Sequence, residues 1–182
     1  MEGGAPLLAA EADRSASLMM RPVQVDLTRY PVLHWRWKLG ALPRDADNTT
    51  SAKEDAVARL VFVFDGDRSK LSLKDRAVAR VARALSGRDL PYATLMYVAS
   101  NSAEVGSLIS NPYTRRVQMV VVSKGQGGGD GWHALRRNLV QDYKRAFGET
   151  PGALLAYGVM TDSDNTESRA RAWYGPIRFL AH

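Results

Sequence analysis

Two five-residue strings of one design carry the residue types in this chain best suited to holding a ligand: Asp45-Ala46-Asp47-Asn48-Thr49 and Asp162-Ser163-Asp164-Asn165-Thr166. Both read D-x-D-N-T. Carboxylates two residues apart in a turn-forming loop, backed by an Asn amide and loop carbonyls, are the oxygen donors that a hard cation such as Ca²⁺ takes from proteins. The same residues also form Asx-turns, in which a short polar side chain bonds its own backbone and no ligand is needed. An EF-hand is excluded, because neither string has the Gly at position six or the Glu at position twelve that such a loop requires. The metal reading rests on Asp162 and Asp164 as calcium-type ligands. Asn165, Asp45 and Asp47 complete the candidate set if the two loops meet at one end of the fold and share a ligand.

A second chemistry is sugar binding, which uses an aromatic face beside polar hydrogen-bonding groups. Trp173 and Tyr174 are adjacent in a strand-like run, so one is expected to face in and the other out as a stacking platform. Catalytic signatures are absent. No Ser has G-x-S-x-G context, and no nucleophile–base pair is visible. A two-carboxylate hydrolase needs carboxyls facing each other across a cleft. Asp162 with Asp65 or Glu104 would be the pair, and spacing alone does not place them. His34, His133 and His182 are too scattered for a metal triad. The Gly-rich segment 125–131 has no following Lys-Ser/Thr and is not a phosphate loop. Asn48-Thr49-Thr50 matches a glycosylation sequon, a match that is frequent by chance.

Composition narrows the classes. The chain has 182 residues and 45% hydrophobic content, enough for one domain with a real core. Cys is absent, which removes disulfides, zinc–thiolate sites and Cys nucleophiles. No apolar run approaches the ~20 residues needed to span a bilayer, so no membrane insertion is expected. The opening Met1–Pro6 lacks the basic and apolar regions of an export signal. The net charge is +6, carried mostly by Arg and spread along the chain. No nucleic-acid reader motif accompanies it, and no nucleic-acid partner is expected.

The elements that must position these residues are mostly strands. Apolar points at Leu18, Met20, Val23 and Val25 suggest a strand over 15–26, with Pro22 marking an edge or bulge. From Pro31 to Leu39 the pattern is clearest. Leu33, Trp35, Trp37 and Leu39 alternate with His34, Arg36 and Lys38, apolar on one face and basic on the other. Trp35 and Trp37 are therefore expected in the core. The run Leu60–Phe64 reads as a central strand covered on both faces. Leu73–Leu85 has helical spacing, with Ser72 as its cap and Gly87 as its stop. Further strands are expected at 92–99, 117–123, 132–139, 153–160 and 169–180. A short helix over 138–147 closes at Gly148. The count gives a mainly β fold: a twisted antiparallel β-sandwich of jelly-roll, galactose-binding-like type with two short peripheral helices, forming a single domain over 1–182.

The order of these motifs resembles a bacterial uncharacterised family, domain of unknown function 3047. The residues that carry the resemblance are Tyr30-Pro31, Leu33–Lys38, Arg59–Asp65, Asn111–Thr114, Asp142-Tyr143, Arg145–Gly148, Met160–Thr166 and Ala172–Gly175. The second D-x-D-N-T string lies within the resemblance, which makes it the stronger of the two candidates. The family implies a secreted or envelope-type β-sandwich with no assigned activity. Its members usually begin with an export signal and a leading segment, so a missing leading segment and a periplasmic or secreted compartment are expectations here. Pro176 stands where many members have an acidic residue. The terminal strand resembles that of carbohydrate-binding jelly rolls. The functional expectation is a non-catalytic binding module for carbohydrate or cell-envelope glycan, with calcium as the one candidate cofactor. The alternative is a polysaccharide-acting hydrolase or lyase that uses the acidic loop residues.

Overall fold

The computed structural model describes residues 6–41, 46–48, 50–87, 89–111, 113–124 and 131–181. Asp45, Thr49 and all of the Gly-rich segment except Gly131 lie outside the described residues.

The chain is mainly β. A five-stranded sheet is built from β1 (Leu8–Asp13), β10 (Arg169–Tyr174), β3 (Val32–Leu39), β11 (Arg178–Leu180) and β8 (Trp132–Asn138). A six-stranded sheet runs β2 (Ala16–Pro22), β9 (Leu154–Asp162), β4 (Arg59–Phe64), β5 (Ala93–Ser100), β7 (Val117–Lys124) and β6 (Leu108–Ser110). The alternation in β3 does what its spacing dictates. Leu33, Trp35, Trp37 and Leu39 enter the core between the sheets, while His34, Arg36 and Lys38 point to the outer face. Trp35 stacks on Tyr97 of the opposite sheet, with ring centroids 5.3 Å apart and planes 6° from parallel. Each such buried side chain contributes about 1.5–3 kcal/mol.

Four expectations change. The sheets are not wholly antiparallel: β5 and β7 pair in parallel, because the chain leaves β5 through a loop and β6 before it returns. No strand is expected from the sequence between 99 and 117, where β6 forms. The strand expected over 169–180 is two strands. Gly175-Pro176 breaks it, since Pro has no N–H for a ladder, and β11 then pairs with a different part of β3. The helices also differ from the two short peripheral ones expected. In α2 (Leu139–Phe147), Leu139 and Tyr143 belong to the main core. In α1 (Leu73–Ser86), capped by Ser72 and Gly87 as expected, Leu73 and Val81 stand in solvent.

One clamp fixes the strand at the edge of the five-stranded sheet. Asp142 of α2 is buried, accepts the Tyr97 hydroxyl at 2.8 Å, and accepts Arg137 Nε of β8 at 2.9 Å. Burial, reinforced by the Asp142 charge, pushes the Tyr97 hydroxyl well above its usual range, so it stays a donor. Arg137 points inward, and by alternation Trp132, Ala134 and Arg136 of β8 point outward.

Candidate functional site

The second D-x-D-N-T string leaves β9 and turns back toward β10 at one end of the fold. Its first residue, Asp162, is only 4% exposed. One of its oxygens accepts the Ala56 N–H at 3.3 Å, and the other accepts an Arg59 guanidinium N–H at 2.7 Å. Arg59 begins β4, is itself buried, and also donates to Glu54. Asp55, 1% exposed, faces Asp162. Its carboxylate accepts the backbone N–H of Asn165 at 3.1 Å, that of Thr166 at 2.8 Å, and the Thr166 hydroxyl. The first string reaches the same place. The Asn48 side chain donates to the Asp55 carbonyl at 2.8 Å. The two echoes therefore meet through Asp55, the described part of the first meeting the second on its backbone rather than carboxylate to carboxylate.

The electrostatics follow from burial. Desolvation is the largest effect on Asp162 and pushes its carboxyl up to about 7, despite the Arg59 charge; the hydrogen bond and charge of Asp55 add to the rise. Desolvation also opposes ionisation of Asp55. Donation from Thr166, Asp162 and the loop N–H groups outweighs it and holds Asp55 below its ordinary value. The two shifts run in opposite directions, so Asp162 is the member of the pair that takes up a proton first as pH falls.

Asp55, Asp162 and Asp164 each present an oxygen within 4.8 Å of the others. Asp164 is exposed. All four oxygens of Asp55 and Asp162 face N–H or O–H donors of the protein itself. Calcium takes about 6–8 oxygens and would have to displace those donors. Asp47 points elsewhere, accepting the Ser102 hydroxyl at 3.2 Å. Asp65 bonds the neighbouring Gly66 N–H, and Glu104 pairs with Lys124, so neither faces Asp162.

Trp173 and Tyr174 separate as their alternation requires. Tyr174 faces in, bonded to the Met160 carbonyl at 2.7 Å and to Thr161, and burial pushes its hydroxyl up to about 12. Trp173 faces out and is half-buried.

The outer face of the five-stranded sheet carries the arrangement that the sequence reading left unassembled. Strand register sets its rows. Ala9, Trp173, Lys38 and Trp132 lie in one row across β1, β10, β3 and β8. Lys38 Nζ sits 5.9 Å from the Trp173 ring centre, and the Arg36 guanidinium lies 4.5 Å over Trp132. Each is a cation–π contact. Farther along β3, His34 is opposite Arg136 of β8 on one side and Arg178 of β11 on the other. The basic side of β3 was legible, and so was Trp173. Arg136, Arg178 and the pairing of Trp132 with Lys38 were not. The signal for the last was the period-two string Trp132-x-Ala134-x-Arg136.

Two clefts open on this face. One of about 230 Å³ borders Trp173, with Ala9, Glu11 and Arg171 around it. The other, also about 230 Å³, lies at the break between β10 and β11 and is lined by His34, Arg36, Ala134, Pro176 and Arg178 together with Trp35.

Fold and site define a mainly β protein of two sheets around one core, with a basic, aromatic outer face and a buried carboxyl pair at one end. The chain belongs to the family described as "Protein of unknown function (DUF3047)", which matches residues 1–178. No curated protein matches the chain. No helix among the described residues is long and apolar enough to cross a membrane.

Proposed function

We propose that this protein is a non-catalytic binding module for carbohydrate, in particular a cell-envelope glycan, built on a sandwich of jelly-roll type. The observation that supports this best is the Trp173–Lys38–Trp132 row on the outer face of the five-stranded sheet. Trp173, half-buried beside a cleft, offers an indole face on which a sugar ring can stack, and Trp132, about 10 Å away across two strand intervals, carries the Arg36 guanidinium toward the same ligand. The cleft beside Trp173 supplies the polar groups that orient hydroxyls. Glu11 and Arg171 border it and hold each other at 2.9 Å. Sugar sites combine these two features.

The carboxyls that would serve a hydrolase argue for binding rather than turnover. Asp55 and Asp162 are 1% and 4% exposed, and their oxygens are engaged by the protein. A glycosidic oxygen has no approach to them.

A glycan array with the intact protein, followed by affinity gels with the glycans retained, tests the proposal. Retention without release of reducing ends is the expected result, with retention lost in Trp173→Ala. Reducing-end release that disappears in Asp162→Asn would replace the module with an enzyme.

A further inference from the structure

We infer that the glycan bound by this face is anionic, and that the cleft between β10 and β11 holds its phosphate or carboxylate substituent. The inference rests on the binding reading above and adds the ligand's charge and the place that reads it.

Within one sheet face, basic residues are treated in two ways. On β10, each Arg has an acid directly across the ladder: Arg169 pairs with Asp13 at 2.9 Å, and Arg171 pairs with Glu11 at 2.9 Å. On β8, β3 and β11 the row is Arg136, His34, Arg178, with no acid across the ladder from either arginine. Among the described residues, no carboxylate pairs with His34, Arg36, Lys38, Arg136 or Arg178. Guanidinium groups that the chain leaves without an acid are available to an anion.

The cleft is shaped for such a group. Along one edge of β3, β10 pairs as far as Trp37 and β11 begins at His34, so Trp35 and Arg36 have no strand residue opposite them on that side. Gly175 still donates its N–H to the Arg36 carbonyl at 2.9 Å, and the ladder stops at Pro176, which opens the wall beside Trp35. On the other side Arg36 faces Ala134, whose methyl leaves depth between Trp132 and Arg136. Arg36 is held in position. A Cβ on Gly175 would lie 2.8 Å from Arg36 Cγ and 3.2 Å from its Nε. The arginine stem thus lies across the bare glycine while its guanidinium rests on Trp132. A cation fixed by an aromatic face instead of a carboxylate keeps its N–H donors for a ligand. The basic row and the Trp row are about 13 Å apart along β3, so one oligosaccharide can occupy both.

Isothermal titration of the intact protein tests the inference with matched polymers. These are phosphomannan against the same mannan after removal of phosphate, and polygalacturonate against its methyl ester. A (dT)₂₀ oligonucleotide serves as an anionic polymer that is not a glycan. At least one charged glycan is expected to bind about tenfold or more tighter than its neutral counterpart, with an affinity that falls as NaCl rises. The exposed double variant Arg136→Ser/Arg178→Ser should abolish that preference and leave the weaker neutral binding intact. Trp173→Ala should weaken charged and neutral forms alike. Equal binding of charged and neutral forms would overturn the anionic inference and leave the glycan reading standing. Binding of none of the four glycans would overturn both. Tighter binding of (dT)₂₀ than of any glycan would make the face a nucleic-acid surface and likewise overturn both.

Discussion

The end of the fold around Asp55 and Asp162 and the outer face of the five-stranded sheet are both rich in charge, and they handle it in opposite ways. Around Asp55 the charges are buried, and every carboxylate oxygen of the pair has a donor from the chain. On the sheet face the cations are exposed or half-exposed, stand beside one another, and lean on indole rings. Buried polar groups must be satisfied or they cost stability. A carboxyl pair whose oxygens the chain already engages reads as structure: it is a node that ties Asn48, Ala56, β4 and the 162–166 turn together. Exposed like charges that could have been paired, as Arg169 and Arg171 are, read as groups kept for a partner. Ligand-suited residue types alone therefore do not mark a site; whether the chain itself uses them does.

The strongest way to break the comparison is to remove the node. Asp55→Ala leaves the Asn165 and Thr166 N–H groups and the Thr166 hydroxyl without their acceptor and Asp162 without its partner. Loss of stability of about 3–5 kcal/mol is expected, seen as a fall in Tm of about 10 °C. Glycan affinity of the folded fraction should not change. An unchanged Tm would remove the structural role of the node.

The converse variant is Trp173→Ala. Truncating a central aromatic anchor should cost about 2 kcal/mol of glycan binding, or about thirtyfold in Kd. Urea unfolding should shift far less than in Asp55→Ala. A large stability loss with intact binding would reverse the two roles.

The raised carboxyl of Asp162 predicts a pH signature. Asp162 has a folded pKa raised from 3.8 to about 7. Its contribution is fully present below the unfolded value and is lost as pH rises through the folded one. Asp162→Asn mimics the protonated form. The wild type should therefore lose stability relative to Asp162→Asn between pH 4 and pH 7, by an amount on the order of 2 kcal/mol. Parallel curves from calorimetry would mean that Asp162 is ionised throughout, held by Arg59.

The smallest effect sharpens the reading of the face. Arg136→Glu removes one of the two guanidinium groups that flank His34 and puts an acid in its place. Cross-strand pairs are worth about 0.2–1 kcal/mol, so Tm should move by no more than about 3 °C. Binding of a charged glycan should fall in the same variant. A larger fall in Tm would show that Arg136 serves the fold rather than a ligand.

Much of this was legible in the residues. Period-two alternation placed Trp35 and Trp37 inside and Arg36 and Lys38 outside. Ser72, Gly87, Asn138 and Gly148 set the helix ends through capping chemistry, and adjacency separated Trp173 from Tyr174. What failed to show was long-range pairing. Asp55 looked like one more loop residue, because its partners Asn165 and Thr166 lie 110 and 111 positions away. Arg59 gave a faint signal as a lone cation opening an apolar strand. The basic row needed the register of β8 and β11 on β3, which no local pattern encodes. Gly175-Pro176 was a visible break signal whose consequence, a cleft, depends on where β11 re-pairs.

The binding face is tested most directly by where a glycan lands. In a ¹⁵N-resolved NMR titration of the intact protein with oligogalacturonate, shifts are expected in backbone amides of Arg36, Lys38, Ala134 and Arg178 and in the indole N–H of Trp132 and Trp173, with Asp55, Asp162 and Thr166 unmoved. Shifts centred on Asp162–Thr166, with the β3 outer face silent, would contradict it.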